Sequence, residues 1–396
     1  MSYPKTHAGH PGAIIIEGHV QGLSNTRSLG ELGIPVIVVD TGPCVARHSR
    51  FCKAFFRCPA YDSDELADFL LELADTQALD GWLLLPSNDH AVQTVARNRS
   101  RLGARFVMTT PEQSVLRNIY DKSRLLNLAD SVGIPIPGAY YPSEEQSFQS
   151  IPLTFPVLTR GRYGLDFYKA TGRKAFLAED LDAYVAQLEK IGKAYSIDKV
   201  LTQELIPDCG TNKTVSFAAF CVKGAIKAHW MGEKVRQHPL QFGTATFARS
   251  VNVPDCLAHS IPLLRALEYT GICEIEYLQD PRDGQYKLIE INARTWLWVG
   301  LAKACGVDFA RLAYEYVNAE GGDIEYPAGY DTGVCWVNPI TDTVYAFKAI
   351  LTRQLGLKNY LVSFRSKKNV NALFVGGDWK PGLAYLHNAF FYLQHR

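Results

Sequence analysis

The stretch from Lys287 to Arg294 reads KLIEINAR and places an acid, an amide and a guanidinium at every second position. Alternate side chains of a β-strand point to opposite faces, so Glu290, Asn292 and Arg294 share one face. Small or apolar residues occupy the other face. A half-buried strand with a solvated outer face is the ordinary interpretation of this pattern. The sequence just upstream favours a more specific one.

A second alternating run, ICEIEY at 272–277, precedes this stretch, and the turn-forming sequence DPRDG at 280–284 separates the two. Two alternating runs joined by turn formers predict a β-hairpin. We centre its turn on Asp283. This choice sets the register of the two strands.

That register brings acidic side chains together on one face of the hairpin. Glu276 lies opposite Glu290. Glu274 lies opposite Asn292, also on that face. Like charges directly opposite each other are destabilising, so the cluster needs a counterion. Carboxylate and amide oxygens suit a hard cation such as Mg²⁺, which commonly binds through carboxylates and substrate phosphates, so the hairpin is predicted to bind metal and phosphate.

The overall composition is that of an ordinary globular protein. With 396 residues, 47% hydrophobic and 20% charged, the chain is expected to form two or three domains. A formal net charge of +1 argues against broad electrostatic binding of nucleic acid. We find no apolar run long enough to span a bilayer and no signal-peptide core, and the cysteines are scattered without a C-x-x-C pair. A cytoplasmic protein without a transmembrane segment is therefore expected.

The N-terminal third has the pattern of a Rossmann-like domain. A buried strand at 13–16 is followed by a helical stretch to Leu32 and a second strand at 36–39. The glycines after the first strand do not form the dinucleotide fingerprint. The sequence Ser-Asn-Asp at 87–89 follows a further strand, where open α/β sheets bind ligands. Capping of the next helix is an equally good role for these residues.

Basic residues further along the chain suggest two anion sites. A strand ending at Arg160 and a strand beginning at Gly172 flank the glycine-containing loop 161–164, as in a phosphate clamp. Charged strand ends are common, so this pattern is weak by itself. The second set surrounds the loop at 237–243 and consists of Lys234, Arg236, His238 and Arg249. It is either a solvated basic loop or a site for an anionic substrate or phosphate.

The order of these motifs resembles the ATP-grasp superfamily, from about residue 12 to residue 320. The motifs that carry the resemblance are Asp121-Lys122-Ser123, Phe155 to Arg160, Gln203 to Ile206 and the EIEY…EINAR hairpin. The hairpin is the most specific of them and is similar to carbamoyl-phosphate-synthase-like members.

The resemblance implies a multidomain protein of α/β and α+β class, with a Rossmann-like N-terminal domain followed by a two-lobed ATP-grasp domain. The expected divisions are a pre-ATP-grasp domain at 1–110, a small lobe with the glycine-rich loop at 111–207, a large lobe with the metal-binding hairpin at 208–322 and a C-terminal extension at 323–396.

The resemblance also assigns roles to the hairpin residues. Glu276, Glu290 and Asn292 would bind two Mg²⁺ ions, with Mn²⁺ as an alternative, and Glu290 would bridge the two. Arg294 would meet the γ-phosphate or the acyl phosphate. Glu274 lies on the same face but has no ligand role in the family pattern, so it is either a supporting acid or a sign of a wrong register.

The resemblance implies an ATP site between the lobes. Lys122 and Arg160 match the phosphate-binding cations, although the family more often has Lys-Pro where Arg160-Gly161 stands, and Lys174 is a weaker match. The hinge that receives adenine and ribose would consist of Gln203, Glu204, Ile206 and, as a candidate only, Asp208. Arg236 and His238 are candidates to position the acyl group.

The implied reaction is ATP-dependent activation of a substrate carboxylate as an acyl phosphate, which an amine then captures to give an amide, ADP and phosphate. The expected partners are therefore a small-molecule carboxylate and an amine. A bicarbonate-using carboxylase or carbamoyl-phosphate-type enzyme is one alternative. A non-catalytic nucleotide-binding regulatory protein is another. The C-terminal residues after 323 are expected to pack against the catalytic domain, with homodimer formation or contact with a membrane surface as alternatives.

Overall fold

The computed structural model describes residues 11–143, 151–208, 213–238, 243–319 and 324–388. Its strands are β1 (Ala13–Ile16), β2 (Val36–Asp40), β3 (Cys52–Arg57), β4 (Leu83–Pro86), β5 (Val107–Met108), β6 (Ala139–Tyr140), β7 (Val157–Gly161), β8 (Phe176–Ala178), β9 (Val200–Glu204), β10 (Thr214–Val222), β11 (Ala225–His238), β12 (Thr244–Ser250), β13 (Gly271–Gln279), β14 (Tyr286–Asn292), β15 (Val334–Val337) and β16 (Lys368–Asn371).

The helices alternate with these strands in the first half of the chain and cluster again towards its C-terminal end. They are α1 (Val20–Glu31), α2 (Glu65–Gln77), α3 (Asp89–Arg97), α4 (Arg99–Leu102), α5 (Gln113–Tyr120), α6 (Lys122–Ser131), α7 (Gly164–Thr171), α8 (Leu181–Gly192), α9 (Pro254–Ala266), α10 (Val299–Ala304), α11 (Phe309–Asn318), α12 (Pro339–Leu351), α13 (Leu357–Ser363) and α14 (Lys380–His387). Within the described ranges, none of these helices is long and apolar enough to cross a membrane.

The N-terminal sheet is parallel and has the strand order β3-β2-β1-β4-β5. Every residue of β1 is fully buried, because strands in the middle of a parallel sheet are covered on both faces. The chain builds outward from β1 through β2 to β3 and then returns to β4 on the other side. The carboxyl ends of β1 and β4 therefore meet at the topological switch point, where open α/β sheets bind ligands. The predicted Rossmann-like domain is confirmed.

The small lobe is built on the sheet β6-β9-β7-β8, with α7 and α8 packed around a core that includes Val157, Phe167 and Tyr184. The prediction that a strand begins at Gly172 was wrong. The preceding residues form α7, Gly172 ends that helix with φ of 70°, and β8 begins only at Phe176. A left-handed residue after the last helical turn is a common helix terminator, and glycine adopts it without steric cost.

The large lobe contains a seven-stranded sheet with the order β14-β13-β10-β11-β12-β15-β16. The β13–β14 hairpin forms one edge. At the other side β15 pairs with β12, and β16 pairs with β15. The C-terminal segment thus continues the sheet of the large lobe, which confirms the expectation that it packs against the catalytic domain.

One hydrophobic core joins the N-terminal sheet, the large lobe and the C-terminal segment. At its centre Trp230 stacks on Trp296, with ring centroids 5.6 Å apart, and meets Trp298 edge to face. Arg27 of α1 donates to the Asp378 carboxylate at 2.8 Å and to the carbonyl oxygens of Ala372 and Leu373. The first and last described parts of the chain are therefore joined by both apolar packing and buried polar contacts.

Candidate active site

The β13–β14 hairpin has the register expected from its sequence. Glu276 pairs with Glu290 and Glu274 pairs with Asn292. A β-bulge follows Glu276, so the register shifts by one residue between this point and the turn. The predicted acidic face is confirmed at the end of the hairpin away from the turn.

The turn of the hairpin is held by the buried carboxylate of Asp280. It accepts hydrogen bonds from Arg282 Nη2 at 2.6 Å and from Lys287 Nζ at 2.6 Å. These bonds, first of all those from Arg282, hold the pKa of Asp280 well below its ordinary value. Gly284 has φ of 75°, a conformation that glycine adopts without steric cost. The turn residues therefore fix the pairing next to the turn, and the bulge after Glu276 shifts it by one residue to the pairing that aligns the acids.

Two lysines meet the paired acids. Lys234 of β11 places Nζ 2.8 Å from both carboxylate oxygens of Glu276. Lys122, the first residue of α6, places Nζ 3.4 Å from Glu290 Oε2. Burial by itself raises the pKa of Glu290, but the charges of Lys122 and Lys234 outweigh it and lower the pKa to about 2. Glu290 therefore stays ionised among cations that could also contact phosphate oxygens.

Glu274 is a buried acid on the same face that contacts Ser216 and Asn292. Its side chain is 2% exposed, accepts a hydrogen bond from Ser216 Oγ at 2.6 Å and accepts one from Asn292 Nδ2 at 3.1 Å. Burial, followed by the charge of Glu276, raises the pKa of Glu274 to about 8. Because the amide nitrogen of Asn292 donates to Glu274, its amide oxygen points away from Glu274 and accepts from Arg294. Glu274 thus orients Asn292, and the register question is settled.

Arg294 is held by Asp89, which begins α3 at the carboxyl end of β4. Arg294 Nε and Nη2 donate to the two oxygens of Asp89, both at 2.9 Å, and Nη2 also donates to Asn292 Oδ1 at 3.2 Å. Burial lowers the pKa of Arg294, but the Asp89 carboxylate outweighs this effect and raises it. Asn88 accepts from the Ala91 backbone N–H and caps α3. The capping role considered for 87–89 is therefore confirmed at Asn88, whereas Asp89 pairs with Arg294.

Arg160 and Gln203 face each other on the neighbouring strands β7 and β9 of the small lobe. Arg160 Nη2 donates to Gln203 Oε1. Burial and then the nearby charge of Arg160 lower the pKa of Lys122, whereas Glu290 raises it. The structure therefore brings the two cations of the expected phosphate site close to the end of the hairpin.

The expected adenine hinge lies at the end of β9. Glu204 ends this strand and lies 3.4 Å from Arg282 of the hairpin turn. Ile206 is buried, whereas Asp208 is exposed and is the last described residue before the gap at 209–212. An ion pair thus joins the end of β9 to the turn of the β13–β14 hairpin.

Lys174 follows α7 and lies outside the strands that carry Arg160 and Gln203. It is exposed in the connection between α7 and β8. The loop that precedes α7 is instead anchored by Arg162, which donates to both oxygens of Asp121 at 3.1 and 2.7 Å. The Lys122 backbone N–H donates to the Arg162 carbonyl at 3.0 Å. This part of the predicted phosphate clamp is therefore tied directly to the residue that contacts Glu290.

Arg236 is placed against the C-terminal helices. Its Nε and Nη2 donate to the two oxygens of Asp342 at 2.8 and 2.7 Å, and Nη1 donates to Ser363 Oγ at 2.6 Å. The guanidinium carbon lies 4.2 Å from the ring centroid of Phe247. These contacts engage all three guanidinium nitrogens.

His238 continues the same strand, and its ring stacks on Tyr345 of α12. Residues 239–242 of the adjoining basic loop lie outside the described residues, so the second half of that predicted site is not placed. Arg249, from the same basic set, pairs with Glu233 at 3.2 Å. Of the basic set, Lys234 contacts the acidic face directly.

Two of these contacts were not deduced from the sequence. Lys234 was grouped with the basic loop, although its two-residue spacing from Arg236 could have indicated a shared strand face. Asp89 was considered as a ligand residue or a cap, and its pairing with Arg294 links positions 205 residues apart. A local sequence pattern cannot predict a contact between residues so far apart in the chain.

Glu17 brings another acid to the same region. It follows β1 with a left-handed φ of 79°, rare for a residue other than glycine, and accepts a hydrogen bond from Gln21 Nε2 at 2.6 Å. Burial raises the pKa of Glu17 to about 8, and Arg294 opposes the effect. The carboxyl ends of β1 and β4 thus both direct acids towards Arg294.

The donor set of the hairpin fits a hard cation. Glu276, Glu290 and Asn292 present oxygen atoms at the same end of the sheet, which is the ligand type that Mg²⁺ prefers. Within the described ranges, no three His, Cys, Asp or Glu side chains form a metal-binding group. A Mg²⁺ site here would therefore be completed by phosphate oxygens and water, as is usual for this ion.

Part of the chain is similar to a known family and to a known protein. Residues 247–319 match the family model of the carbamoyl-phosphate synthase L chain, ATP-binding domain. The chain is 23% identical over 273 residues to D-aspartate ligase from Enterococcus faecium, with 65% of this chain and 64% of that protein covered. The chain therefore spans slightly less than two thirds of this relative's length.

Solved structures resemble the whole arrangement. Pyruvate carboxylase from Rhizobium etli superposes with a TM-score of 0.62 at 17% identity, covering 80% of this chain and 29% of that one. L-amino acid ligase from Bacillus licheniformis superposes with a TM-score of 0.58 at 14% identity, covering 78% of this chain and 74% of that one. At these identities the likeness concerns the fold.

Proposed function

We propose that the chain is a member of the ATP-grasp superfamily and an ATP-dependent ligase that joins a carboxylate to an amine. The observation that carries the proposal is the Glu276–Glu290 pair, which shares one face with Asn292 and is surrounded by cations. The direct opposition of Glu276 and Glu290 is destabilising by itself, so a non-catalytic protein would have no need of it. The ligase names of D-aspartate ligase and L-amino acid ligase support the same class of reaction.

Glu276, Glu290 and Asn292 would hold Mg²⁺, and Mn²⁺ is the alternative ion with similar ligand preferences. When bound, the metal would neutralise phosphate oxygens and so reduce their repulsion of a substrate carboxylate. We assign Asn292 as a ligand through its amide oxygen, since Glu274 holds the amide nitrogen. Lys234 and Lys122 already lie within 3.4 Å of the acids and would contact the same phosphates.

The protein's cations would orient the transferred phosphoryl group. Arg294, fixed by Asp89, would contact the γ-phosphate and later the acyl phosphate. Lys122 and Arg160 would bind the other phosphates, with Lys174 as a further candidate. Residues Gln203, Glu204, Ile206 and Asp208 would line the nucleoside site. Such fixed charges stabilise the charge of the transition state without needing to reorganise.

The reaction would proceed in two steps. A carboxylate oxygen of the acid attacks the γ-phosphorus of ATP, which releases ADP and forms the acyl phosphate. The uncharged amine then attacks the acyl carbon, phosphate leaves, and the amine proton is lost to give the amide. The protein needs no side-chain nucleophile for this sequence, because positioning and charge stabilisation supply most of the rate enhancement.

Release of ADP and phosphate tests the proposal when it is measured against a matrix of amino acids and other carboxylates, each with and without an amine. We expect release that requires one acid and one amine and is lost in Glu290→Ala. The exposed Glu189 of α8 provides the matched control, so Glu189→Ala should retain activity. Strict dependence on bicarbonate would favour the carboxylase alternative. Nucleotide binding without turnover on any pair would favour the regulatory one.

A further inference from the structure

A long segment near the C-terminal end contains no acidic residue. Between Asp342 and Asp378 the chain has no Asp or Glu, although 40 such residues nearly balance 41 Lys and Arg in the whole sequence. The cations of this segment are all exposed, and they are Lys348, Arg353, Lys358, Arg365, Lys367 and Lys368. The segment is therefore a local positive region on a protein of almost no net charge.

The same segment exposes large apolar side chains. On α12, Val344, Phe347 and Leu351 follow helical spacing along one face, and the exposed fractions of Phe347 and Leu351 are 62% and 67%. On α13, Leu357 and Leu361 follow the same kind of spacing, and Leu361 is 60% exposed. We call these side chains and the six cations the α12–α13 surface. Burying the apolar part of such a surface would be favourable by the hydrophobic effect.

Cations and apolar side chains are interspersed on this surface. Leu357, Leu361 and Val362 line one groove together with Lys358 and Arg365. Long basic side chains beside apolar ones are typical of helices that lie in the interface of a bilayer, with the cations at the headgroups and the apolar groups below them.

The other side of these helices is fixed to the body of the protein. Asp342 of α12 accepts from Arg236 and from Thr246 Oγ1 at 2.9 Å. Tyr360 and Phe364 flank the Arg236 guanidinium, whose carbon lies 4.9 and 5.5 Å from their ring centroids. The α12–α13 surface thus faces outward because its opposite side is anchored to β11 and β12.

We propose that the α12–α13 surface binds the face of a lipid bilayer that contains anionic lipids. The positive charge of the surface favours an anionic bilayer over a second copy of the chain as its partner. A two-fold interface would place the same patch against itself and bring its six cations near their own copies. An anionic headgroup layer instead attracts every one of them, and its acyl boundary accepts the apolar side chains. The surface lies outside the catalytic residues described above.

Co-sedimentation of the full chain with vesicles tests the proposal. We expect binding to vesicles of phosphatidylcholine mixed with phosphatidylglycerol, much weaker binding to phosphatidylcholine alone, and loss of binding as salt is raised. Equal binding to both kinds of vesicle, or no binding to the anionic one, would overturn the proposal.

Paired variants separate the two components of the surface. Lys358→Glu with Arg365→Glu should weaken binding to anionic vesicles roughly ten-fold or more. Phe347→Ser with Leu351→Ser should weaken it through the apolar component. The matched controls lie on the small lobe, where Lys190→Glu with Lys193→Glu changes exposed cations and Leu177→Ser changes an exposed apolar residue. The controls should bind as the unaltered chain does.

Two further measurements test whether each variant folds and whether the chain associates with itself. Thermal unfolding of each variant must match the unaltered chain, and Lys358→Gln with Arg365→Gln provides a milder pair should the charge reversals fail to fold. Analytical ultracentrifugation of the unaltered chain and of Phe347→Ser with Leu351→Ser reports self-association. A dimer that the serine variant dissociates, without any binding to vesicles, would show that this surface joins two copies and would overturn the proposal.

Discussion

The carboxyl group of Glu274 lies between Ser216 and Asn292, behind the acids that face the expected phosphates. A buried carboxyl group avoids the cost of desolvating its charge by remaining protonated, and its pKa of about 8 reflects this. The position of Glu274 explains how three acids fit on one face of the hairpin. Only Glu276 and Glu290 need a cation, because Glu274 is buried and hydrogen-bonded to the amide of Asn292.

This pKa predicts a pH dependence of stability in the metal-free protein. The pKa of Glu274 is raised in the folded chain from 4.5 to about 8, mainly by burial. Its contribution to stability is therefore complete below the unfolded value and is lost as the pH rises through the folded one. Between about pH 5 and pH 8 the free energy of unfolding should fall by about 2 to 4 kcal/mol more in the unaltered chain than in Glu274→Gln.

Denaturant unfolding at several pH values, with a chelator present, measures this difference. Glu189→Gln, at an exposed position, is the control and should follow the unaltered chain. Parallel pH profiles for the unaltered chain and Glu274→Gln would contradict the assignment of a buried, protonated carboxyl group.

Asp89 is predicted to act on the reaction through Arg294. Asp89→Asn removes the charge and one acceptor of the bidentate pair, so the guanidinium loses its fixed orientation. We expect kcat to fall roughly 10- to 100-fold, because a misplaced cation stabilises the transition state less. Steady-state kinetics on the acid and amine identified by the release assay measure the effect.

The neighbouring residue provides the control for Asp89. Asn88→Ala removes the cap of α3 and should cost about 1 kcal/mol of stability while activity is retained. Equal losses of activity in the two variants would indicate that displacement of α3, and not release of Arg294, is responsible.

Strand β11 connects the β13–β14 hairpin to the C-terminal helices. Lys234 contacts Glu276, and two residues further on Arg236 contacts Asp342 of α12 and Ser363 of α13. The sequence suggested that Arg236 positions the acyl group. Its complete engagement with other side chains favours a role in attaching the helices.

Arg236 variants can separate these two roles. Arg236→Ala leaves the Asp342 carboxylate, which is 1% exposed, without its partner and should destabilise the fold by about 3 to 5 kcal/mol. The double variant Arg236→Met with Asp342→Leu should recover most of this loss, since apolar replacements of a buried pair are often tolerated. Chemical denaturation measures both effects.

Activity of the double variant then identifies the function of Arg236. A stable double variant with normal KM and kcat would assign Arg236 to attachment of the helices. A stable double variant with a raised KM for the acid would restore the substrate role that the sequence suggested.

At the scale of the whole molecule, Asp378 ties the C-terminal segment to the N-terminal domain. Its carboxylate accepts from Arg27 Nε and Ser49 Oγ, each at 2.8 Å, and from the Arg50 backbone N–H at 2.8 Å. Burial lowers the pKa of Arg27, and its bond to Asp378 opposes that effect. This cluster fixes the C-terminal segment to the N-terminal sheet, beside the core of tryptophans.

Asp378→Ala should therefore be strongly destabilising. It leaves the Arg27 guanidinium, whose side chain is 7% exposed, without its charged partner, and we expect a loss of about 3 to 5 kcal/mol. Differential scanning calorimetry measures the change. The exposed pair of Arg105 with Asp80 is the control, so Asp80→Ala should leave the unfolding transition nearly unchanged. A similar small effect for Asp378→Ala would mean that the C-terminal segment is held by apolar packing alone.

Much of the fold could be predicted from local patterns. The alternation of ICEIEY and KLIEINAR and the turn formers between them predicted the hairpin and the pairing of its acids, because side-chain period and turn chemistry are local properties. They did not predict the bulge that shifts the pairing near the turn. The apolar strands and the helix at the start of the chain likewise determined the Rossmann-like unit. The prediction at Gly172 was wrong because glycine also commonly ends a helix, as it does here.

The sequence by itself thus determined which residues are acidic, which are cationic and which share a strand face. Only the tertiary structure decided their partners: Lys234 for Glu276, Asp89 for Arg294, and Asp342 for the cation that had been assigned to substrate. The physical reason is separation along the chain. Alternation acts over neighbouring residues, whereas an ion pair depends on how sheets and helices far apart in sequence are packed. The charge of a residue therefore does not by itself identify which of the many oppositely charged residues will be its partner.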